Sequence, residues 1–224
     1  MHALSHLCAA PLGGFQKLGQ VNSICFAQQG NVATVQLSQS LEALLETYPI
    51  QEITVGRLCR HAGVSRSTFY RQFTSLDDAL DQLFQSVVAE MVQAADPWLS
   101  GADLRIEPHL RGTYAAYLRH GSLMRAVADA ELGDLKATSR QYRQMMAMWD
   151  EAVGLRFAAS YPWVDRPDMV AHALNAAGER IMYYDFGQGA ANVTDEQFEA
   201  TVRIMYTMWC SALGIEELTE KRLA

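Results

Sequence analysis

Long apolar runs are missing from this chain. Nowhere in its 224 residues do about 18 apolar residues follow one another, so no segment is written to cross a membrane as a helix. Cysteine is sparse and unpatterned. Cys8, Cys25, Cys59 and Cys210 show neither metal-ligand spacing nor a disulfide framework, and Cys59 and Cys210 fall on apolar helix faces; reduced, buried thiols in a cytoplasmic protein are expected. No Ser/His/Asp order, paired-carboxylate site, metal-ligand cluster or Gly-rich phosphate loop occurs. An enzyme, a metal and a cofactor are therefore not expected, and His109 and His120 read as isolated side chains on a surface-like helix. Strand signals are absent too. Residues 1–31 lack charge, with Lys17 the one exception. They hold no sustained period, and His2, Ser5 and His6 interrupt any signal-peptide core, so a flexible arm is expected there.

Charge of one sign is missing from a second stretch, residues 53–76, ITVGRLCRHAGVSRSTFYRQFTSL. It contains Arg57, Arg60, Arg66, Arg71 and His61 but no carboxylate, whereas the rest of the chain sets 14 Lys and Arg against 25 Asp and Glu. Two short amphipathic helices are legible in it. Thr54 caps the first, at about 55–62, with Val55, Leu58, Cys59 and Ala62 on one face. Gly63 supplies a residue able to take positive φ and ends it in a tight turn. Val64 points back to the core, and Ser65 caps a second helix reaching about Phe73. Phe69 and Phe73 are four apart and bury together. The opposite face keeps Arg66, Ser67, Thr68, Tyr70 and Arg71. Two helices joined by a Gly-containing turn, the second lined with donors, form a helix-turn-helix. A small basic face on an acidic chain suits a duplex DNA partner, because it attracts phosphates locally while the remaining surface is repelled. The expected DNA-contacting set is Thr54, Arg66, Ser67, Thr68, Tyr70 and Arg71, with the Tyr70 and Thr68 hydroxyls on phosphates and Arg66 or Arg71 at a guanine edge. The arm at 1–31 lacks the Lys and Arg needed to add to it.

GVSRSTFYRQF followed by a helix opening SLDDAL resembles the DNA-binding domain of TetR-type transcriptional regulators, over residues 32–83. That family usually carries Lys at the position of Leu76. The resemblance implies that the phosphate contact made there falls instead to backbone N–H groups or to Arg71.

Elsewhere the periodicity is helical. A stripe of Leu41, Leu44, Leu45 and Tyr48 marks a first helix from about Val32, closed by Pro49. A fourth helix opens near Leu76 with Asp77 and Asp78 in its first turn, where the helix dipole favours negative charge. Leu80, Leu83, Phe84, Val87, Val88 and Met91 carry it to about Ala95, and Asp96-Pro97 is expected to end it. Pro108 sits early in the next helix, with Leu110, Tyr114, Tyr117 and Leu118. Gly121 breaks it, and a short helix follows to Leu132, closed by Gly133. A long helix is expected over about 135–159. Another starts at Pro167 and runs to the Gly187-Gln188-Gly189 break. The last opens on a Thr194/Gln197 capping box and stops at Gly214. The expected class is all-α. Residues 1–31 form the arm, 32–80 a three-helix DNA-binding domain, 81–215 a larger helical domain for ligand binding and dimerisation, and 216–224 a tail.

Eight Met lie between Met124 and Met208, interleaved with Tyr114, Tyr117, Tyr142, Trp149, Tyr183 and Trp209. Adaptable thioethers and aromatic walls with polar tips suit a small-molecule cavity as well as a plain core. LNAAGERIMYYDFGQG and IMYTMWCSALG are similar to the last two helices of the ethionamide-resistance (EthR-like) branch of TetR regulators. That resemblance implies an apolar tunnel. Asn175 falls on one tunnel amide and Gly178 replaces the other. Trp149 and Trp209 fall on tunnel tryptophans, and Tyr117, Tyr142 and Met146 on further wall positions. With Tyr114, these make the expected ligand set. The missing amide at Gly178 implies a roomier or differently oriented guest, and Glu179-Arg180 is read as a helix-surface ion pair. Runs such as 181–184 and 205–209 are apolar on two sides, which a helix shows when it is buried on two sides; a second copy of the chain is the economical partner. The expected function is a dimeric repressor on a palindromic operator, released by an apolar small molecule. The alternative is a TetR-shaped protein that has lost DNA binding and acts through a protein partner.

Overall fold

A computed structural model describes residues 32–130, 136–186 and 193–215. The arm, the helix closure at Leu132 and Gly133, the Gly187-Gln188-Gly189 break and the tail all lie outside the described residues. The described residues are helical throughout, so the all-α expectation holds. In chain order they form α1 (Val32–Thr47), a 3-10 turn (Ile50–Glu52), α2 (Val55–Ala62), α3 (Arg66–Gln72), α4 (Leu76–Leu99), α5 (Ile106–Arg119), α6 (Gly121–Ala130), α7 (Lys136–Ser160), α8 (Pro167–Phe186) and α9 (Asp195–Leu213).

α1, α2 and α3 pack together into a head. α1 turns Leu37, Leu41, Leu44 and Leu45 inward. After Pro49 the chain makes the 3-10 turn, which periodicity alone does not signal, and buries Ile50 and Ile53. Thr54 Oγ1 accepts from Arg57 N at 3.2 Å and so caps α2. Gly63 takes φ 68°, which lets Val64 N reach back to Cys59 O at 3.0 Å and closes the helix. Ser65 Oγ accepts from Thr68 N at 3.0 Å and starts α3. Phe69 and Phe73 sit fully inside, their ring centroids 5.4 Å apart.

The fourth helix does not stop at Asp96-Pro97. α4 carries Pro97 within its last turn and continues to Leu99. Proline removes one N–H from the ladder, a cost lowered here because the carbonyl left over belongs to exposed Gln93. Trp98 and Leu99 are 1% and 0% exposed, and burying two such side chains is worth about 3–6 kcal/mol, roughly matching or exceeding the proline penalty of about 3 kcal/mol. α4 is shared: its start packs on α1, and the rest on α5, α6 and α7.

α7 and α8 form a helical hairpin, brought close where Gly154 faces the backbone of Asp168. Trp163, in the connecting loop, donates its indole N–H to Leu213 O at 2.8 Å, pinning that loop to the end of α9. α9 begins with the reciprocal capping box, Gln197 N to Thr194 Oγ1 and Thr194 N to Gln197 Oε1, and ends at Gly214 with φ 64°. Trp98, Phe157 and Trp209 meet edge to face at 5.3–6.0 Å in the middle of this body.

Candidate nucleic-acid interface and internal cavity

α3 packs against both α1 and α2. Its inner side is anchored by Phe69, and Arg66, Ser67, Tyr70 and Arg71 are exposed on the other. Tyr70, at 59% exposure, stands on edge against the Phe69 ring at 5.2 Å, so a buried ring holds an exposed hydroxyl in place. Arg66 reaches back over α2: a Cβ on Gly56 would come within 2.6 Å of its Nη2. Thr68 is half-buried, and its hydroxyl is shared between Ser65 Oγ at 2.9 Å and Arg71 Nη2 at 3.2 Å. Ser67 Oγ lies 2.8 Å from Ser65 Oγ. In this state Thr68 and Ser67 steady the cap and orient Arg71, while Thr54 is spent on its own cap. Arg57 is folded away, its guanidinium 4.3 Å over the Tyr48 ring and donating to Glu52 O at 3.1 Å. The exposed cations of α3 are therefore Arg66 and Arg71.

The start of α4 bears on the Leu76 substitution. Leu76 is half-buried against the core. Asp78 N donates to Ser75 Oγ at 3.0 Å, and the Asp78 carboxylate accepts from Thr74 N and Thr74 Oγ1 at 2.6 and 3.0 Å. Burial pushes the Asp78 pKa up, but those bonds and one from Gln82 outweigh it and hold the carboxyl below its ordinary range. A helix start closed by its own carboxylate is a poor phosphate seat. Of the two stand-ins expected for the missing Lys, Arg71 is the better placed.

The body holds a cavity of about 60 Å³. All eight residues of the expected ligand set line it: Tyr114 and Tyr117 from α5, Tyr142, Met146 and Trp149 from α7, Asn175 and Gly178 from α8, and Trp209 from α9. Asn175 Nδ2 donates to Asp150 Oδ1 at 2.8 Å, and Tyr114 Oη donates to Asp185 Oδ2 at 2.7 Å. Burial and that carboxylate together raise the Tyr114 pKa. A Cβ on Gly178 would meet only Met205 Sδ, at 3.9 Å, so the room left by the missing amide is bordered by a movable thioether.

Two readings of single residues are overturned. His109 is not on a surface: it is 3% exposed, lines the cavity, and lies against Trp98 with ring centroids 4.6 Å apart. Burial drives its pKa down to about 3, so the imidazole is neutral. His120 is not isolated: Nδ1 lies 2.5 Å from Glu42 Oε1 and Nε2 lies 2.9 Å from Glu90 Oε2, which ties α1 to α4. Glu179 is half-buried at the cavity wall, while Arg180 stays outside with its guanidinium 5.6 Å from the Tyr183 ring. His109 and Thr113 were discoverable from spacing. With Ile106, Leu110 and Tyr117 they complete a three-and-four repeat on the inner side of α5.

A three-helix head with an exposed polar face on α3, joined by a shared helix to an all-helical body, has the helix-turn-helix arrangement. Comparison with known proteins narrows this. No family model matches the chain. It is 28% identical over 172 residues to the HTH-type transcriptional regulator EthR of Mycobacterium tuberculosis, covering 70% of this chain and 77% of that protein; the Mycobacterium bovis protein of the same name matches equally. A transcriptional regulator from Rhodococcus sp. Rha1 superposes with TM-score 0.63 at 15% identity, over 80% of this chain and 96% of the other. One from Pseudomonas aeruginosa PAO1 gives 0.64 at 16% identity, over 81% and 90%. The chain is thus similar in sequence to HTH-type transcriptional regulators and shares the all-helical fold of the solved ones.

Proposed function

We propose that the chain is a cytoplasmic, dimeric repressor. It binds a palindromic operator through α3 and is released when an apolar small molecule occupies the body, as the similarity to EthR supports. The observation that carries this reading is the α3 face: Arg66, Tyr70 and Arg71 exposed on a helix locked from beneath by Phe69, with no carboxylate from residue 53 to 76. Such a face enters a major groove, and two copies about 34–36 Å apart read two half-sites. Dimerisation falls to α8 and α9, where Tyr184 and Ile204 remain 69% and 54% exposed although Met205 and Trp209 of the same bundle are buried. The cavity supplies the effector site and α4 the lever, since it is packed into both halves. A regulatory rather than catalytic role is supported by the similarity to transcriptional regulators.

The test is a mobility shift on duplex from the protein's own upstream region at low salt. Replacing Tyr70 and Arg71 together by Ala abolishes the shift while leaving helicity and dimer size unchanged; full binding by that variant refutes the assignment. The second reading, a protein partner in place of DNA, is favoured by the start of α4, where Leu76 packs inward and Asp77 and Asp78 face any approaching phosphate. Wild-type protein that ignores every duplex at low ionic strength decides for it.

A further inference from the structure

We propose that the cavity recognises an uncharged, flexible-chain molecule through a hydroxyl or amide N–H held at His109, and that it rejects a carboxylate of the same length. This rests on the reading of the cavity as the effector site.

His109 is the starting point. Its ring is enclosed by Trp98 at 4.6 Å, Trp209 at 5.5 Å and Trp149 at 6.4 Å. Nδ1 is buried without a hydrogen-bond partner. A neutral imidazole needs one acceptor for its N–H and one donor for its lone pair, and an unmet polar group in such surroundings is expensive. Thr113, one turn on, is already committed, its hydroxyl donating to His109 O at 2.9 Å. A guest hydroxyl, which can donate or accept, meets the need at Nδ1 in either tautomer.

The charge of the wall sets the guest's class. Among the described residues lining the cavity, Glu179 is a carboxylate and none is Lys or Arg. Asp150 and Asp185 stand just behind, each bonded to a lining side chain. A carboxylate guest would be desolvated beside like charge with no counter-ion. Asn175 spends one of its two amide N–H groups on Asp150, and its carbonyl oxygen stands as a further acceptor. Acceptors of this kind favour a guest that brings an O–H or N–H.

Size sets its shape. About 60 Å³ holds about two waters, so a guest must open the site. Met91, Met124, Met145, Met146, Met182 and Met205 line it, and unbranched thioethers shift aside with little strain. A flexible chain can follow the space they vacate, whereas a rigid polycycle cannot. The guest then has a differential affinity for the opened body, which is the condition for releasing the head.

The full-length protein is titrated with octan-1-ol, its isomer 1-methoxyheptane, octanoate and octylammonium, following tryptophan fluorescence and the thermal midpoint. Octan-1-ol binds, the ether binds roughly ten-fold more weakly, and neither ion binds, octanoate because the wall repels it and octylammonium because its desolvation outweighs the attraction of Glu179. His109→Leu lowers octan-1-ol to the level of the ether without changing the ether, and His109→Gln restores part of the difference. Alcohol binding stays flat from pH 5 to 9. Equal affinity for alcohol and ether, or tighter binding of either ion, overturns the proposal and leaves the cavity reading standing. Binding by none of the four overturns both. The probe series on wild type decides even if a variant fails to fold.

Discussion

In the head, Thr54, Ser65 and Ser75 each close a helix start, Thr34 reaches Gln72 at 3.0 Å, and Arg57 lies on Tyr48. In the body, by contrast, His109 Nδ1, Trp98 Nε1 and Arg156 Nε are buried with no partner. The Arg156 guanidinium lies 5.5 Å from the Trp98 ring. The head is thus complete as it stands and needs no partner to fix its shape. The body keeps unmet polar groups next to a small cavity walled by methionine, so its lowest-energy arrangement depends on what it holds. A preformed head suits docking on a fixed duplex geometry, and an unfinished body suits a response to a guest.

The largest test of this contrast removes volume from each half. Phe69→Ala takes a 0% exposed ring from a closely packed site, with an expected loss of about 3–5 kcal/mol and failure of the head. Met145→Ala removes a 5% exposed side chain beside an existing cavity. Neighbouring thioethers can fill in, so the loss falls near the low end, about 2 kcal/mol. Urea unfolding of both variants checks the order. Equal losses would mean that the body is packed as rigidly as the head.

Next comes the tie between the halves. The Glu42 and Glu90 carboxylates raise the His120 pKa above its ordinary 6.5 despite partial burial. Burial alone would raise the Glu90 pKa, but bonds and charge from His120 and Arg119 hold it below 4.5. The His120 contribution is complete below 6.5 and is lost as pH rises through the raised value; that of Glu90 is present above 4.5 and fades as pH falls through the lowered one. The tie is therefore firmest in mild acid. Between pH 5 and 9, wild type loses more of its urea midpoint than His120→Asn does. Parallel pH curves would show that the tie adds nothing to stability.

These contrasts also explain what the sequence could show. Caps, the Gly63 turn and the Phe69–Phe73 pair depend on neighbours within four residues, so the head was legible from local chemistry. The extension of α4 through Pro97 was not, because a local proline rule is opposed by the burial of Trp98 in contacts made far along the chain. The His120 tie joins residues 78 and 30 positions apart, and no periodicity encodes that. His109 was visible in spacing but masked by its polarity, since a histidine on an inward face resembles one at the surface until its neighbours are known. The cavity walls were legible mainly through family resemblance.

The smallest effect sharpens the comparison most. Ser65 and Thr194 are both N-caps, one in the head and one in the body, and losing either costs about 1 kcal/mol. Their consequences for DNA differ. The Thr194 side chain accepts from Gln197 N at the start of α9 in the body, so Thr194→Ala lowers the thermal midpoint and leaves duplex affinity unchanged. Ser65 touches Ser67 and Thr68, and Thr68 holds Arg71, so Ser65→Ala also frees an exposed guanidinium and weakens binding several-fold. Ser65→Asp separates the two effects: a carboxylate caps as well as a hydroxyl, yet it adds negative charge to the face that meets phosphate. Its midpoint stays at the wild-type value while its affinity for duplex falls below that of Ser65→Ala, with a flatter dependence on salt. If Ser65→Asp binds duplex as wild type does, the α3 face is not where phosphates lie.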